Sequence, residues 1–362
     1  MLTDILLILG GLVLLVFGGE LLVRGAGALA RRLGLSPLVV GLTVVSVSTS
    51  APELAVTVDS VFRGAPELAV GNVIGSNTAN VLLIIGAAAL IAPLAVRRQL
   101  LRFDLPAMVA ISVLLLLLSL DGAVGLIDGG ILLAAFVLLT VWTVILGRRA
   151  AREDRDDEAA APLPPVWASV LLVAVGITAL VIGAQLLVGG AVAIASDLGV
   201  SELIIGLTIV AVGTSLPEVA ATLAAVRRGE VDIAVGNVVG SNIANIGLVL
   251  GLPTLLSPGG IPVPPSSVAL DLPLMIAAAL ALGTVAFTGH RVVRLEGAVF
   301  IALYAAYLGY MVLASADHDA LRGFTWVMVW FVLPLVLVVG AVTVWEEIRL
   351  RRGPDGRLER VG

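Results

Sequence analysis

With 362 residues, 59% of them hydrophobic and 13% charged, and a mean hydropathy of +1.13, the chain is too apolar for a pair of soluble domains and reads as an all-α integral membrane protein. The absence of cysteine excludes disulfides, thiolate metal sites and cysteine nucleophiles, and the two histidines, His290 and His318, fall in short connections between apolar runs. The net charge of −5 sits mostly in connections, and no nucleic-acid partner is expected.

Taken in chain order, apolar runs predict helices near 3–23, 37–62, 67–92, 104–120, 126–147, 166–192, 202–226, 232–257, 268–287, 294–314 and 323–345, about eleven in all. The first run carries Asp4 where a leader peptide has basic residues. Its Gly18-Gly19-Glu20-Leu21-Leu22-Val23 is echoed by Gly183-Ala184-Gln185-Leu186-Leu187-Val188, so it reads as a retained span. Residues 148–165, rich in mixed charge and proline, read as a linker between two five-helix halves, 1–147 and 166–314. The helix at 323–345 and the tail 346–362 lie outside the repeat.

All 21 basic residues are arginines, and an N-terminus outside the cell leaves 19 of them on the inner side, with only Arg63 and Arg322 outside. The positive-inside rule then orients the chain, expected in the plasma (inner) membrane, with linker and C-terminal tail in the cytoplasm.

Sliding the sequence by 165 residues lays Gly41–Asn80 on Gly206–Asn245 without a gap, with 24 of 40 positions identical. The flanks agree: Asp104-Leu105-Pro106 matches Asp271-Leu272-Pro273, and Asp128-Gly129 resembles Glu296-Gly297. Five helices per half is an odd number, so the second copy enters the membrane from the opposite side. Inverted repeats of this kind belong to secondary transporters, whose substrate sites form where the two copies meet.

Each copy holds a polar motif inside an apolar run: Thr49-Ser50-Ala51-Pro52-Glu53 and Thr214-Ser215-Leu216-Pro217-Glu218, then Gly71 to Asn80 and Gly236 to Asn245. Pro52 and Pro217 remove a backbone donor and crowd the carbonyls of Ser48 and Gly213, so each helix is expected to break and free backbone oxygens. The carbonyls of Ser46 and Ala211, further back, are candidates to point into the same site. Glu53 and Glu218 each lie about sixteen residues into their run, about 24 Å along an unbroken helix. A carboxylate inside a bilayer costs about 3 kcal/mol or more, and a bound metal cation or a proton is what offsets it here. The surrounding donors are hydroxyls of Thr49, Ser50, Thr214, Ser215, Ser76 and Ser241 and amides of Asn80 and Asn245. These are hard oxygens suited to calcium or sodium and not to soft transition metals. Glu20, matched by Gln185, is expected to make a structural hydrogen bond or serve as a gate, and Asp59, Asp121 and Asp128 to sit near the rim.

With its paired G-T-S-x-P-E-like cores and G-N-x-x-G-S-N-x-x-N segments, the sequence resembles the calcium/cation antiporter superfamily, in its prokaryotic sodium/calcium exchanger branch. The resemblance implies that Glu53 and Glu218 bind calcium and sodium, that the six hydroxyl residues complete the sodium sites, and that Asn80 and Asn245 sit at the centre. Departures are Ser48 for glycine, Ala51 for leucine, and Asn245 where many relatives have aspartate. The expected activity is exchange of Ca2+ for Na+ with no further cofactor, by a monomer or homodimer. Cation/proton exchange remains an alternative because burial favours the neutral acid, and a passive channel is a more distant one. An intramembrane protease lacks a nucleophile–base set, and no nucleotide loop points to a pump.

Overall fold

The computed structural model describes residues 1–153, 164–199, 209, 211–257 and 259–315, and these are almost wholly helical. In the first half, α1 (Leu2–Leu33) is followed by α2 (Pro37–Thr49) and α3 (Ala51–Phe62), then α4 (Leu68–Ile91), α5 (Leu100–Leu118) and α6 (Leu126–Glu153). In the second, α7 (Val166–Asp197) precedes α8 (Ala211–Thr214), α9 (Leu216–Arg227), α10 (Val231–Leu256), α11 (Ser267–Phe287) and α12 (Arg294–Ser315). Among the described residues eight helices are long and apolar enough to cross a membrane, and the bent pair α2–α3 makes a ninth. The run expected at 323–345 and part of that at 202–226 lie outside the described residues.

Several helices run past the limits that hydropathy sets. The first was expected to stop at 23 and continues through Arg24, Arg31 and Arg32 to Leu33, where Gly34 closes it in the left-handed conformation (φ 63°). The fifth continues from 147 to Glu153, shortening the expected linker, and the sixth from 192 to Asp197. Apolarity marks the part of a helix that suits lipid, whereas arginine is a good helix former and does not end one.

The inverted repeat is visible in the strands that join connections. β1 (Leu94–Ala95) pairs antiparallel with β4 (Arg291–Val292), and β2 (Ala123–Val124) with β3 (Ile261–Pro262). β3 is the repeat counterpart of β1 and β4 of β2, so each two-stranded ladder ties one half to the other, with the halves exchanging roles. Asp128, expected near the rim, and its repeat counterpart Glu296 close the turns after β2 and β4: Gly125 N–H donates to Asp128 Oδ2 at 2.8 Å and Val293 N–H to Glu296 Oε2 at 2.7 Å.

Helix α1 lies antiparallel against its counterpart α7 along a seam of small residues. A Cβ on Gly11, Gly18 or Gly25 would stand 2.6–2.8 Å from the carbonyls of Gly183, Gly176 and Ser169 in turn. On the facing helix Gly190 approaches the carbonyl of Asp4 in the same way, at 2.6 Å. Seven-residue spacing on both strands of the seam keeps the same face turned inward over the whole length, and between apolar helices such close backbone approach supplies the packing energy.

The turn between α9 and α10 is tied to three neighbours. Arg228 pairs with Glu20 of α1, Glu230 with Arg31 at 3.6 Å, and Asp232 with Arg97 at 2.6 Å. Its mirror after α3 differs, with Arg63 bonded to Asp59 of its own helix at 2.7 Å and Ala65 in the place of Glu230. Glu20 thus makes an ion pair, which its counterpart Gln185 lacks the charge to make. Because both partners are part-exposed, Glu20→Gln is expected to cost less than about 1 kcal/mol and to lose its effect in high salt. Melting curves at low and high ionic strength check this, and a large salt-independent loss would place Glu20 in the folding core instead.

Candidate cation site

Two short breaks build the site. Helix α2 passes through a wide π-helical turn at Gly41–Val45 and ends at Ser50 (φ −79°, ψ 4°), from which α3 departs with a bend of 41°. Ser215 (φ −87°, ψ 5°) makes the same break before α9. Pro52 and Pro217 occupy the first turn after each break, where a missing N–H has no intrahelical partner to lose. Glu53 and Glu218 fall in the same first turns, and the positive ends of two helix dipoles therefore meet the two carboxylates.

Both glutamates are buried, at 1% and 0% exposure, and lie within coulombic reach of each other. Ser50, from the first copy, donates to Glu218 Oε1 at 3.4 Å. Around them α10 crosses α2 with backbone in contact: a Cβ on Gly240 would stand 2.5 Å from the carbonyl of Leu42 and 2.7 Å from Ser46 Oγ. This approach brings Ser241 within 3.5 Å of both Thr49 Oγ1 and the Ser46 carbonyl, which also accepts from Thr49 Oγ1 at 3.2 Å. Ser46 therefore joins the cluster through its carbonyl. Thr214 is half-buried, and Ala211 opens the short helix α8 that leads to the break at Ser215.

Among the described residues eight buried side-chain oxygens have no hydrogen-bond partner, and seven belong to the predicted set: both oxygens of Glu53, Oε2 of Glu218, and one oxygen each of Ser76, Ser215, Asn80 and Asn245. Buried polar atoms are ordinarily paired, so such a concentration of unpartnered oxygens makes this cluster the candidate site. The eighth, Thr78 Oγ1, has the apolar Ile243 as its repeat counterpart. The donor set is all oxygen with two carboxylates, and no group of three or more acidic or histidine side chains forms among the described residues. Such a set fits a hard cation of low charge.

Four asparagines and two threonines that sequence reading passed over hold this arrangement. Asn72 Nδ2 donates to Thr57 Oγ1 at 3.1 Å and to the carbonyl of Glu53 at 3.2 Å, pinning α3 to α4. Its mirror Asn237 donates to Thr222 Oγ1 at 3.0 Å and accepts from Thr49 of the other copy at 3.2 Å. Asn77 and Asn242 cross between the copies to reach Asn245 and Asn80. All six are identical in the two copies, the one signal by which the sequence offered them. Wide turns begin at Asn80 and Asn245, over Asn80–Ile85 and Asn245–Leu250, a backbone form that concentrates at functional sites.

An inverted pair of broken helices around buried carboxylates defines the class: a membrane transporter whose site is shared by two repeats. The sequence profile of the sodium/calcium exchanger protein family matches residues 3–145 and 168–313, and the chain belongs to that family. It is 40% identical to the inner membrane protein YrbG of Escherichia coli over 72% of this chain and 82% of that protein. It is 33% identical to the sodium/calcium exchanger MaX1 of Methanosarcina acetivorans over 84% and 97% of the two chains. The solved structure of the sodium-calcium exchanger NCX_Mj superposes with a TM-score of 0.73 at 32% identity, covering 84% of this chain and 97% of that one.

Proposed function

We propose that the chain is a secondary active antiporter that exchanges Ca2+ for Na+ by alternating access. The observation that carries this reading is the cluster of seven unpartnered buried oxygens, two carboxylates among them, at the meeting point of the inverted copies. Glu53 and Glu218 supply the charge, balanced by one calcium ion or by two sodium ions, so the two cations compete for the same oxygens. Hydroxyls of Thr49, Ser50, Ser76, Thr214, Ser215 and Ser241 and the carbonyls of Ser46 and Ala211 complete the coordination, with Asn80 and Asn245 at the centre. The names of MaX1 and NCX_Mj, both sodium/calcium exchangers, support the choice of ions. The halves 1–147 and 166–314 move relative to each other to expose the site to either side, and the arginine distribution orients the protein with its N-terminus outside.

Proteoliposomes loaded with sodium and diluted into sodium-free medium are expected to accumulate calcium, and vesicles carrying only a pH gradient are not. Uptake driven by the pH gradient alone would establish proton coupling, and calcium flux without any counter-gradient would establish a channel.

A further inference from the structure

We infer that Asn77 and Asn242 are positioning residues that set which end of the Asn80 and Asn245 amides faces the cation. The inference rests on the proposed cation site and deepens it. An asparagine ligand is useful to a cation only through Oδ1, because its Nδ2 presents donor hydrogens and no free lone pair, and the two ends have nearly the same shape. Something must choose between them. Asn80 Nδ2 donates to Asn242 Oδ1 at 3.0 Å, and Asn245 Nδ2 donates to Asn77 Oδ1 at 3.0 Å. Oδ1 of both Asn80 and Asn245 is left buried and unpartnered.

The holders are fixed in turn. Asn77 Nδ2 donates to the carbonyl of Asn242 at 3.2 Å, and Asn242 Nδ2 to Met108 Sδ at 3.4 Å. With their own amino groups engaged, both holders present oxygen to Asn80 and Asn245. A flipped Asn80 or Asn245 would set oxygen against oxygen at the holder and an amino group against the cation, so the wrong orientation is opposed at both ends. Each holder belongs to the opposite copy from the amide it orients, which makes the site's polarity a property of the assembled repeats.

A double-mutant comparison separates this role from packing, with equilibrium binding of radioactive calcium to the purified full-length protein as the readout. N77A is expected to weaken calcium binding about tenfold or more, as loss of an outer-shell partner does. In the N245D background the same alanine change is expected to alter binding by less than about twofold, since a carboxylate presents oxygen whichever way it turns. Equal losses in both backgrounds, or no loss in either, overturn the positioning role while leaving the cation reading intact. Wild-type protein that binds no calcium overturns the cation reading itself. Should N77A fail to fold, or N245D bind no calcium, the mirror comparison of N242A with and without N80D decides; failure of both alanine variants to fold, or of both aspartate backgrounds to bind, also overturns the proposal.

Discussion

Replacing Glu53 or Glu218 with glutamine is expected to reduce sodium-driven calcium uptake by at least about a hundredfold, because removing one partner from a buried charge cluster costs about 3–5 kcal/mol. Glutamine fills the same volume, so the fold survives. In cation-free detergent each variant is expected to melt no lower than wild type, for Glu53 has both oxygens buried without a partner and its neutral replacement relieves an uncompensated charge. Transport in proteoliposomes and melting in detergent are measured side by side. Retained exchange in either variant removes that glutamate from the site and overturns the two-carboxylate assignment, and a large drop in melting temperature would make it structural.

The second large effect is expected at Gly240, where α10 touches α2. Its Cβ would stand 2.5 Å from the Leu42 carbonyl and 2.7 Å from Ser46 Oγ, and the backbone side of that contact has no rotamer to yield. Gly240→Val is expected to destabilise the protein by about 3 kcal/mol or more and to remove transport even in the fraction that folds, since it moves Ser241 away from Thr49 and Ser46. Gly283, in α11 with nothing within 4 Å of a Cβ, is the control: Gly283→Val is expected to leave uptake near wild type. Thermal melting and calcium uptake of the two variants together check the claim, and similar behaviour of both would show that the close approach does not hold the site together.

How much of this was legible in the chain differs from residue to residue. Glu53 and Glu218 were unmistakable, since an acid repeated within two apolar runs has few physical explanations. The break at Ser50 followed from Pro52. By contrast, Gly11, Gly18 and Gly25 read as ordinary small residues of a membrane helix, because a seven-residue spacing does not say which helix it faces. Glu20 was singled out, but its partner Arg228 is 208 residues away and nothing local connects them.

The sequence by itself determined the membrane class, the duplication, its inversion through an odd number of helices, and which oxygen-bearing side chains make up the candidate site. Each of these depends on composition, period or parity, which are properties of the chain alone. Only the tertiary structure decided that Asn77 serves Asn245 and Asn242 serves Asn80. A repeat offset reveals which residues are equivalent, but contact between copies depends on how closely two backbones approach, and that is set by packing across the whole interface.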